Sequence, residues 1–248
     1  MLPPVRTQAP FLYKYRSFDH PEWLESIVLK NELYFPTPRE LNDPAEARPK
    51  LIKPPLDALI ATIADRSGMQ KPHLNTRGQA RETAILALNA PRFGVDAIMR
   101  DFTPSLHRTL EGFRIYSLSK RWDNPRLWKE YGANYRGYCL EFRNEAYFGP
   151  AFDVRYRNEI SLDITDPEIG LQFLFYKTRK WRKEEEVRMI NRLNSAAIIA
   201  FDPRFLTRII IGRNTRPEHE ALIRAIADRR ERKLPVVSER CAARFPMA

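Results

Sequence analysis

The chain has 248 residues, of which 43% are hydrophobic, and this is enough to fill the core of one large globular domain or two small ones. Its net charge of +11 and pI near 9.8 predict either a phosphate-rich partner, such as a nucleic acid, or a basic surface that serves solubility. The two cysteines lack zinc-binding spacing, which argues against a structural metal site and favours a reducing compartment. No run approaches the roughly 20 apolar residues of a membrane span, and the expected location is cytoplasmic.

The first predicted strand covers residues 11–16. Its alternation places Tyr13 and Tyr15 on one face and Lys14 and Arg16 on the other. The strand therefore presents two aromatic hydroxyls and two cations to opposite sides of a sheet.

A helix to about residue 29 and a short strand at 33–35 come next. Residues 39–46 form a polar loop, in which Asn42-Asp43-Pro44 predicts a fixed turn. From about residue 54 to 110 the apolar residues recur at helical spacing between prolines, which predicts a helical insert.

Strand alternation returns at residues 113–119 and places Ser117 and Ser119 on one face. Asn124-Pro125 then begins a short helix. Trp128 and Tyr131 form an aromatic stripe on this helix, which is more typical of a core than of a ligand platform.

Residues 177–190 join a basic, aromatic run to three adjacent glutamates that lead into an apolar strand. Alternation predicts that Glu184, Glu186 and Arg188 share one side of this strand. An ion pair of Glu184 with Arg188 or Lys180 is the structural alternative to a functional role.

Further strands are predicted at residues 198–200, 206–212 and 234–238, the first two of them buried, with an amphipathic helix from Pro217 before the last. The predicted fold is therefore α+β, a single domain over residues 1–248 with a mixed, mostly antiparallel sheet of short strands and a helical insert at about 54–110.

Hydrolytic chemistry fits these polar residues poorly. No histidine neighbours Ser117 or Ser119, and the chain has neither a Gly-x-Ser-x-Gly turn nor a glycine-rich phosphate loop. Glu184 and Glu186 are too close in sequence for the separated pair of a glycosidase.

Cleavage of the nicotinamide–ribose bond of NAD suits these polar residues better than hydrolysis. A carboxylate can stabilise the oxocarbenium-like state of the ribose while arginine holds the diphosphate.

Seven short motifs follow one another along the chain. They are Tyr13-Lys14-Tyr15-Arg16-Ser17, Leu41-Asn42-Asp43-Pro44-x-Glu46, Tyr116-Ser117-Leu118-Ser119, Trp128-x-x-Tyr131, Gly137-Tyr138-Cys139-Leu140-x-Phe142, Val154-x-Tyr156, and Lys177 with Trp181-x-x-Glu184-x-Glu186-x-Arg188. In this order they resemble the bacterial family called domain of unknown function 2971, whose name implies no settled activity. Ala45 stands where that family usually has a large aromatic residue.

A looser resemblance, carried by Arg16, Ser117-x-Ser119 and Glu184-x-Glu186, is to the ADP-ribosyltransferases. This resemblance implies an ADP-ribosyltransferase-like fold and NAD as a substrate, bound by Arg16 or by Tyr15 in its place. Glu186 would be the catalytic glutamate, with Glu184 before it. The reaction would transfer ADP-ribose to a nucleic acid or protein, as in a toxin or phage-defence factor. Two features depart from the pattern. Arg16 faces away from the tyrosines, and the alternative to a strand at Glu184 and Glu186 is that these residues end a helix. No bound metal is expected. The expected NAD-binding residues are Tyr13, Tyr15, Arg16, Asn42, Asp43, Ser117, Ser119, Trp128 and Tyr131.

Two other functions remain open. The basic runs at residues 179–183 and 229–233 would suit a nucleic-acid-binding module without catalysis. A magnesium-dependent nuclease would use Asp43, Glu46, Glu184 and Glu186 as oxygen ligands.

Overall fold

The computed structural model describes residues 4–43, 49–64, 110–145, 149–163, 171–191 and 196–242, with shorter stretches at 94–97, 99–100, 103–104, 107 and 165. Most of the expected helical insert, as well as Ala45 and Glu46, therefore lies outside the described residues. The single-domain organisation stays a prediction.

The described elements confirm an α+β fold. The strands are β1 Phe11–Arg16, β2 Glu32–Tyr34, β3 Lys50–Ile52, β4 Arg114–Ser119, β5 Tyr138–Arg143, β6 Phe152–Asp153, β7 Arg155–Arg157, β8 Ser161–Asp163, β9 Tyr176–Thr178, β10 Glu186–Asn191, β11 Ile198–Ala200, β12 Leu206–Ile211 and β13 Val236–Ser238. The α-helices are α1 Glu22–Val28, α2 Leu56–Ala64, α3 Pro125–Glu130 and α4 Pro217–Asp228, and 3₁₀ helices cover Pro38–Glu40, Leu171–Phe175, Arg179–Glu184 and Pro203–Phe205.

Seven strands form one mixed sheet in the order β13-β12-β5-β1-β4-β10-β6. Its β12–β13 pair is parallel and the other neighbours are antiparallel, as the sequence predicts. The pairs β2–β11, β3–β8 and β7–β9 lie outside this sheet.

Both faces of the main sheet are covered, which explains why its central strands are apolar on both sides. On one face, α1 and α4 pack through residues such as Leu24 and Ile223. On the other face, α3 packs Leu127 and Trp128 against Tyr15. Trp128 is fully buried, so the aromatic stripe of α3 belongs to the core there.

Two details of the predicted strands are wrong. β11 is exposed rather than buried, because it pairs with β2 beside the main sheet and leaves 52% of the Ile198 surface accessible. β10 begins at Glu186, because Glu184 ends a 3₁₀ helix and Glu185 adopts a left-handed conformation with φ of 47°.

Among the described residues, no helix is both long and apolar enough to cross a lipid bilayer.

Asn124 connects α3 to the carboxylate-bearing segment. Its side-chain oxygen accepts hydrogen bonds from the backbone N–H groups of Arg126 and Leu127, and its amide donates to the carbonyl of Lys183 at 2.6 Å. We expect Asn124→Ala to lower the free energy of unfolding by about 1–2 kcal/mol, since it removes a helix cap and a tertiary bond together. Urea denaturation measures this. Asn214→Ala is the matched control, because the Asn214 amide makes an exposed bond to the carbonyl of Asn134, and an equal loss in both variants would contradict the prediction.

Candidate functional site

A polar row crosses five neighbouring strands on one face of the main sheet. The strand register places Arg208 opposite Glu141, Glu141 opposite Tyr13, Tyr13 opposite Ser119, and Ser119 opposite Glu186. Residues directly opposite in a sheet project to the same side. Three of the predicted site residues, from distant parts of the sequence, are therefore side by side.

The sheet opens at the middle of this row. β1 pairs with β5 along all of its residues, whereas its register with β4 consists of one position, Tyr13 opposite Ser119. Beyond that position, the Lys14 side chain reaches across and donates to the backbone carbonyl of Ser117 at 2.7 Å. Because β1 and β4 are separated here, residues from both faces of β1 reach one space.

That space is a cavity of about 590 Å³, within the size range of small-molecule sites. Its walls come from β1, β4, α1, α3 and the segment that ends in the two glutamates. The predicted site residues among its lining are Tyr13, Tyr15, Arg16, Asn42, Ser117, Ser119, Tyr131, Glu184 and Glu186.

Glu184 and Glu186 converge on one buried cation, the ammonium of Lys177. The Nζ atom of Lys177 donates to Oε2 of Glu184 at 2.7 Å and to Oε2 of Glu186 at 2.9 Å. Nε of Arg188 donates to Oε1 of Glu186 at 2.7 Å. The ion pair of Glu184 is thus with Lys177 instead of Arg188 or Lys180.

The left-handed residue Glu185 explains how both glutamates reach Lys177. It turns the chain between the 3₁₀ helix and β10, so Glu184 points back to the side that Glu186 occupies. The Glu185 side chain itself is 43% exposed and lies 3.6 Å from Nη1 of Arg121. Glu185 is therefore a matched control for its two neighbours.

The two buried carboxyl groups have different protonation equilibria. Burial raises the pKa of Glu184, and the attraction of Lys177 offsets this only in part. Burial would also raise the pKa of Glu186, but Arg188 and Lys177 together lower it to about 2. Two neighbouring carboxyls whose pKa values are moved apart are the usual arrangement for an acid–base pair.

Neighbouring side chains fix the position of Glu184. The hydroxyl of Tyr131 donates to its Oε1 at 3.0 Å, and the hydroxyl of Ser119 donates to its backbone carbonyl at 2.9 Å. Burial raises the pKa of Tyr131, so this hydroxyl keeps its proton at neutral pH. Ser119 thus holds the backbone of Glu184, and Tyr131 holds its carboxylate.

The structure does not bring two of the expected NAD-binding residues to the cavity wall. Trp128 lies in the core, edge-on to Tyr15 with ring centroids 5.1 Å apart. Asp43 is buried beside the cavity and accepts a hydrogen bond from Nε1 of Trp181 at 2.7 Å. Both are placed to support the walls of the site.

Two cavity residues, Lys14 and Lys177, are absent from the set selected from the sequence. Lys14 lies on the same face of β1 as the buried Leu12. A cation on a face that packs against the core is the feature of the sequence that could have indicated a role for Lys14. Lys177 belongs to a short strand, β9, that pairs with β7. The contact of Lys177 with Glu184 and Glu186 depends on tertiary structure, so the spacing of these residues in the sequence does not predict it.

The nuclease hypothesis finds little support in this geometry. Among the described residues, no three His, Cys, Asp or Glu side chains are grouped to hold a metal ion. The Lys177 ammonium occupies the position between Glu184 and Glu186 that a cation would take. Glu46, the fourth residue of that hypothesis, lies outside the described part of the chain.

No family model, curated protein or solved structure matches the chain.

Proposed function

We propose that this protein cleaves the bond between nicotinamide and ribose in NAD and transfers ADP-ribose to a nucleic acid or protein. The observation that carries the proposal is the pair Glu184 and Glu186, with oppositely shifted pKa values, at a cavity of about 590 Å³ that also contains cations and tyrosines. The resemblance to ADP-ribosyltransferases points to the same chemistry.

Glu186 is the group that stabilises positive charge on the ribose. As the C–N bond breaks, nicotinamide leaves with the bonding electrons and the ribose becomes oxocarbenium-like. A carboxylate with a pKa of about 2 stays ionised at neutral pH, as electrostatic stabilisation requires. The tyrosines of β1 supply aromatic rings for the nicotinamide or the ribose.

Glu184 is the group that accepts the proton of the incoming nucleophile. Its raised pKa makes it a better base than an ordinary glutamate at neutral pH, and Tyr131 holds it in place. The acceptor oxygen or nitrogen then bonds to the ribose carbon while its proton moves to Glu184.

Arg16 is suited to the diphosphate. It lines the cavity, and in the described part of the chain it forms no ion pair, so its charge is not compensated by a carboxylate. The guanidinium lies over the Trp23 ring, 4.6 Å from the centroid, which leaves its planar N–H groups in a fixed orientation.

The test is release of nicotinamide from NAD by the purified protein, with nucleic acid or cell lysate as the source of acceptor. We expect Glu186→Gln to reduce release by at least about 10²-fold. Glu184→Gln is expected to reduce transfer by about 10²–10⁴-fold. Glu185→Gln is the matched control and is expected to behave like the wild type, because its side chain faces solvent.

Each variant is assayed at a temperature where circular dichroism shows it folded. No nicotinamide release under any of these conditions, or wild-type activity in Glu186→Gln, would overturn the proposal.

A nucleic-acid-binding module without catalysis is the second candidate. The favouring observation is the exposed basic 3₁₀ helix Arg179–Glu184, where the cations of Lys180 and Arg126 each lie 5.2 Å from the Trp181 ring centroid. This candidate predicts binding that weakens steeply with salt and is lost in Arg182→Glu/Lys183→Glu, while Glu186→Gln binds normally.

A further inference from the structure

The cavity contains two lysines in opposite environments. Lys177 lies between the carboxylates of Glu184 and Glu186, which compensate its charge. Lys14 makes no ion pair with any residue that the structure describes, and its hydrogen bond goes to the neutral carbonyl of Ser117. Lys14 is therefore the lysine of this site that contacts no carboxylate among the described residues.

The surroundings of Lys14 favour an uncharged amine. Arg16, two residues further along β1, projects to the same side, and its charge opposes a second cation at Lys14. Burial lowers the pKa of Lys14 well below the usual value, and the charge of Arg16 lowers it further. Desolvation beside another cation is a recurrent way to activate a lysine as a nucleophile.

The other ionisable groups near Lys14 do not reverse this effect. Glu186 and Glu184 act to raise its pKa, but Lys177, to which both are bonded, acts to lower it. Tyr116 is uncharged at neutral pH, because burial raises its pKa to about 12.

We propose that Lys14 is a nucleophilic amine that forms an imine with an aldehyde or ketone carrying an anionic group. The Nζ atom adds to the carbonyl carbon, and the carbonyl oxygen then leaves as water with the two amine hydrogens, so that a C=N bond replaces C=O without oxidation or reduction. Arg16, on the same side of β1 and free of a carboxylate partner in the described structure, holds the anionic group. This reaction does not depend on NAD cleavage.

The site has the room that such a ligand needs. Lys14, Arg16 and Ser17 all line the cavity of about 590 Å³. Along a strand, residues two apart are separated by roughly 7 Å, which matches a compact carbonyl compound with its anion at the far end. The inferred ligand is therefore a small phosphorylated or carboxylated carbonyl compound.

The experiment uses pyridoxal 5′-phosphate as the probe, with borohydride to reduce any imine, followed by peptide mapping by mass spectrometry. In the wild type at neutral pH we expect Lys14 to be labelled about 10–10²-fold faster than the exposed Lys180 and Lys183, because an ordinary lysine is almost fully protonated there. Lys14→Arg is expected to lose this fast phase, whereas the control Lys180→Arg keeps it.

A second comparison tests the anion. Pyridoxal without its phosphate is expected to label Lys14 more slowly than the phosphorylated probe, and Arg16→Gln is expected to remove that difference. Labelling of Lys14 at the same rate as Lys180 in the wild type would overturn the proposal without any variant. A fast phase that persists in a folded Lys14→Arg protein would do so as well.

Discussion

Lys177→Met is expected to lower the free energy of unfolding by about 3–5 kcal/mol at neutral pH, because it leaves two buried carboxylates without the cation between them. The side chains of Lys177, Glu184 and Glu186 are 6%, 5% and 4% exposed, so water cannot replace the missing charge. Arg188 still contacts Glu186, but Glu184 retains only the hydroxyl of Tyr131 as its hydrogen-bond partner among the side-chain contacts described.

The pH dependence gives this prediction its sharpest test. Without Lys177, the two carboxylates repel each other and the pKa of Glu184, which burial already raises, rises further. A raised pKa in the folded state means that protonation favours folding, so the deficit of Lys177→Met is expected to shrink as the pH falls from 7 to 4. Urea denaturation at the two pH values measures the change.

Lys183→Met is the matched control for Lys177→Met. Lys183 lies in the same segment and is exposed, so its substitution is expected to change the free energy of unfolding by no more than about 0.5 kcal/mol. If both substitutions cost the same at pH 7, Lys177 does not hold a buried cluster together.

Local sequence patterns are enough to predict β1 and β4, because alternation is a property of adjacent residues. The register between them is different, since it decides that Tyr13 meets Ser119 and that Ser119 meets Glu186. Register follows from the packing of both faces and the lengths of distant connections. The sequence could therefore suggest that these polar sets share a sheet but could not place them in one row.

The convergence of Glu184 and Glu186 was predicted for a different reason from the one the structure shows. Strand alternation would place them two residues apart on one face, but the chain turns at Glu185 instead. A left-handed conformation is uncommon for a residue other than glycine, and it is stabilised here by tertiary bonds such as that between the Glu185 carbonyl and the N–H of Lys120. No local pattern encodes those bonds.

The burial of Trp128 is a second feature that local sequence patterns do not determine. In sequence, an aromatic stripe on a short helix is more typical of a core than of a ligand platform, but the pattern does not decide this for each residue. The choice depends on what covers the helix, and here Tyr15 and Tyr135 pack against the indole ring. Tyr131, one turn later, reaches the cavity instead.

Glu186→Gln is expected to lower the free energy of unfolding by about 3–5 kcal/mol at neutral pH, in addition to its effect on NAD cleavage. The reason is that Arg188 is fully buried and would lose the carboxylate that accepts from its Nε. A folded protein with little activity would then separate a catalytic role of Glu186 from its structural one.

The pH dependence of the Glu186→Gln deficit has a different cause from that of Lys177→Met, because here the wild type loses stability as the pH falls. The pKa of Glu186 is lowered to about 2 in the folded protein, so its contribution to stability is complete above the pKa of about 4.3 of an unfolded glutamate and is lost as the pH falls toward 2. The difference between the wild type and Glu186→Gln should therefore be constant from pH 7 to 5 and decrease below that. Denaturant titrations from pH 7 to 3 measure it, with Glu185→Gln as the control that shows no such decrease. A difference that stays constant down to pH 3 would mean that Glu186 is not held as a buried carboxylate by Arg188 and Lys177.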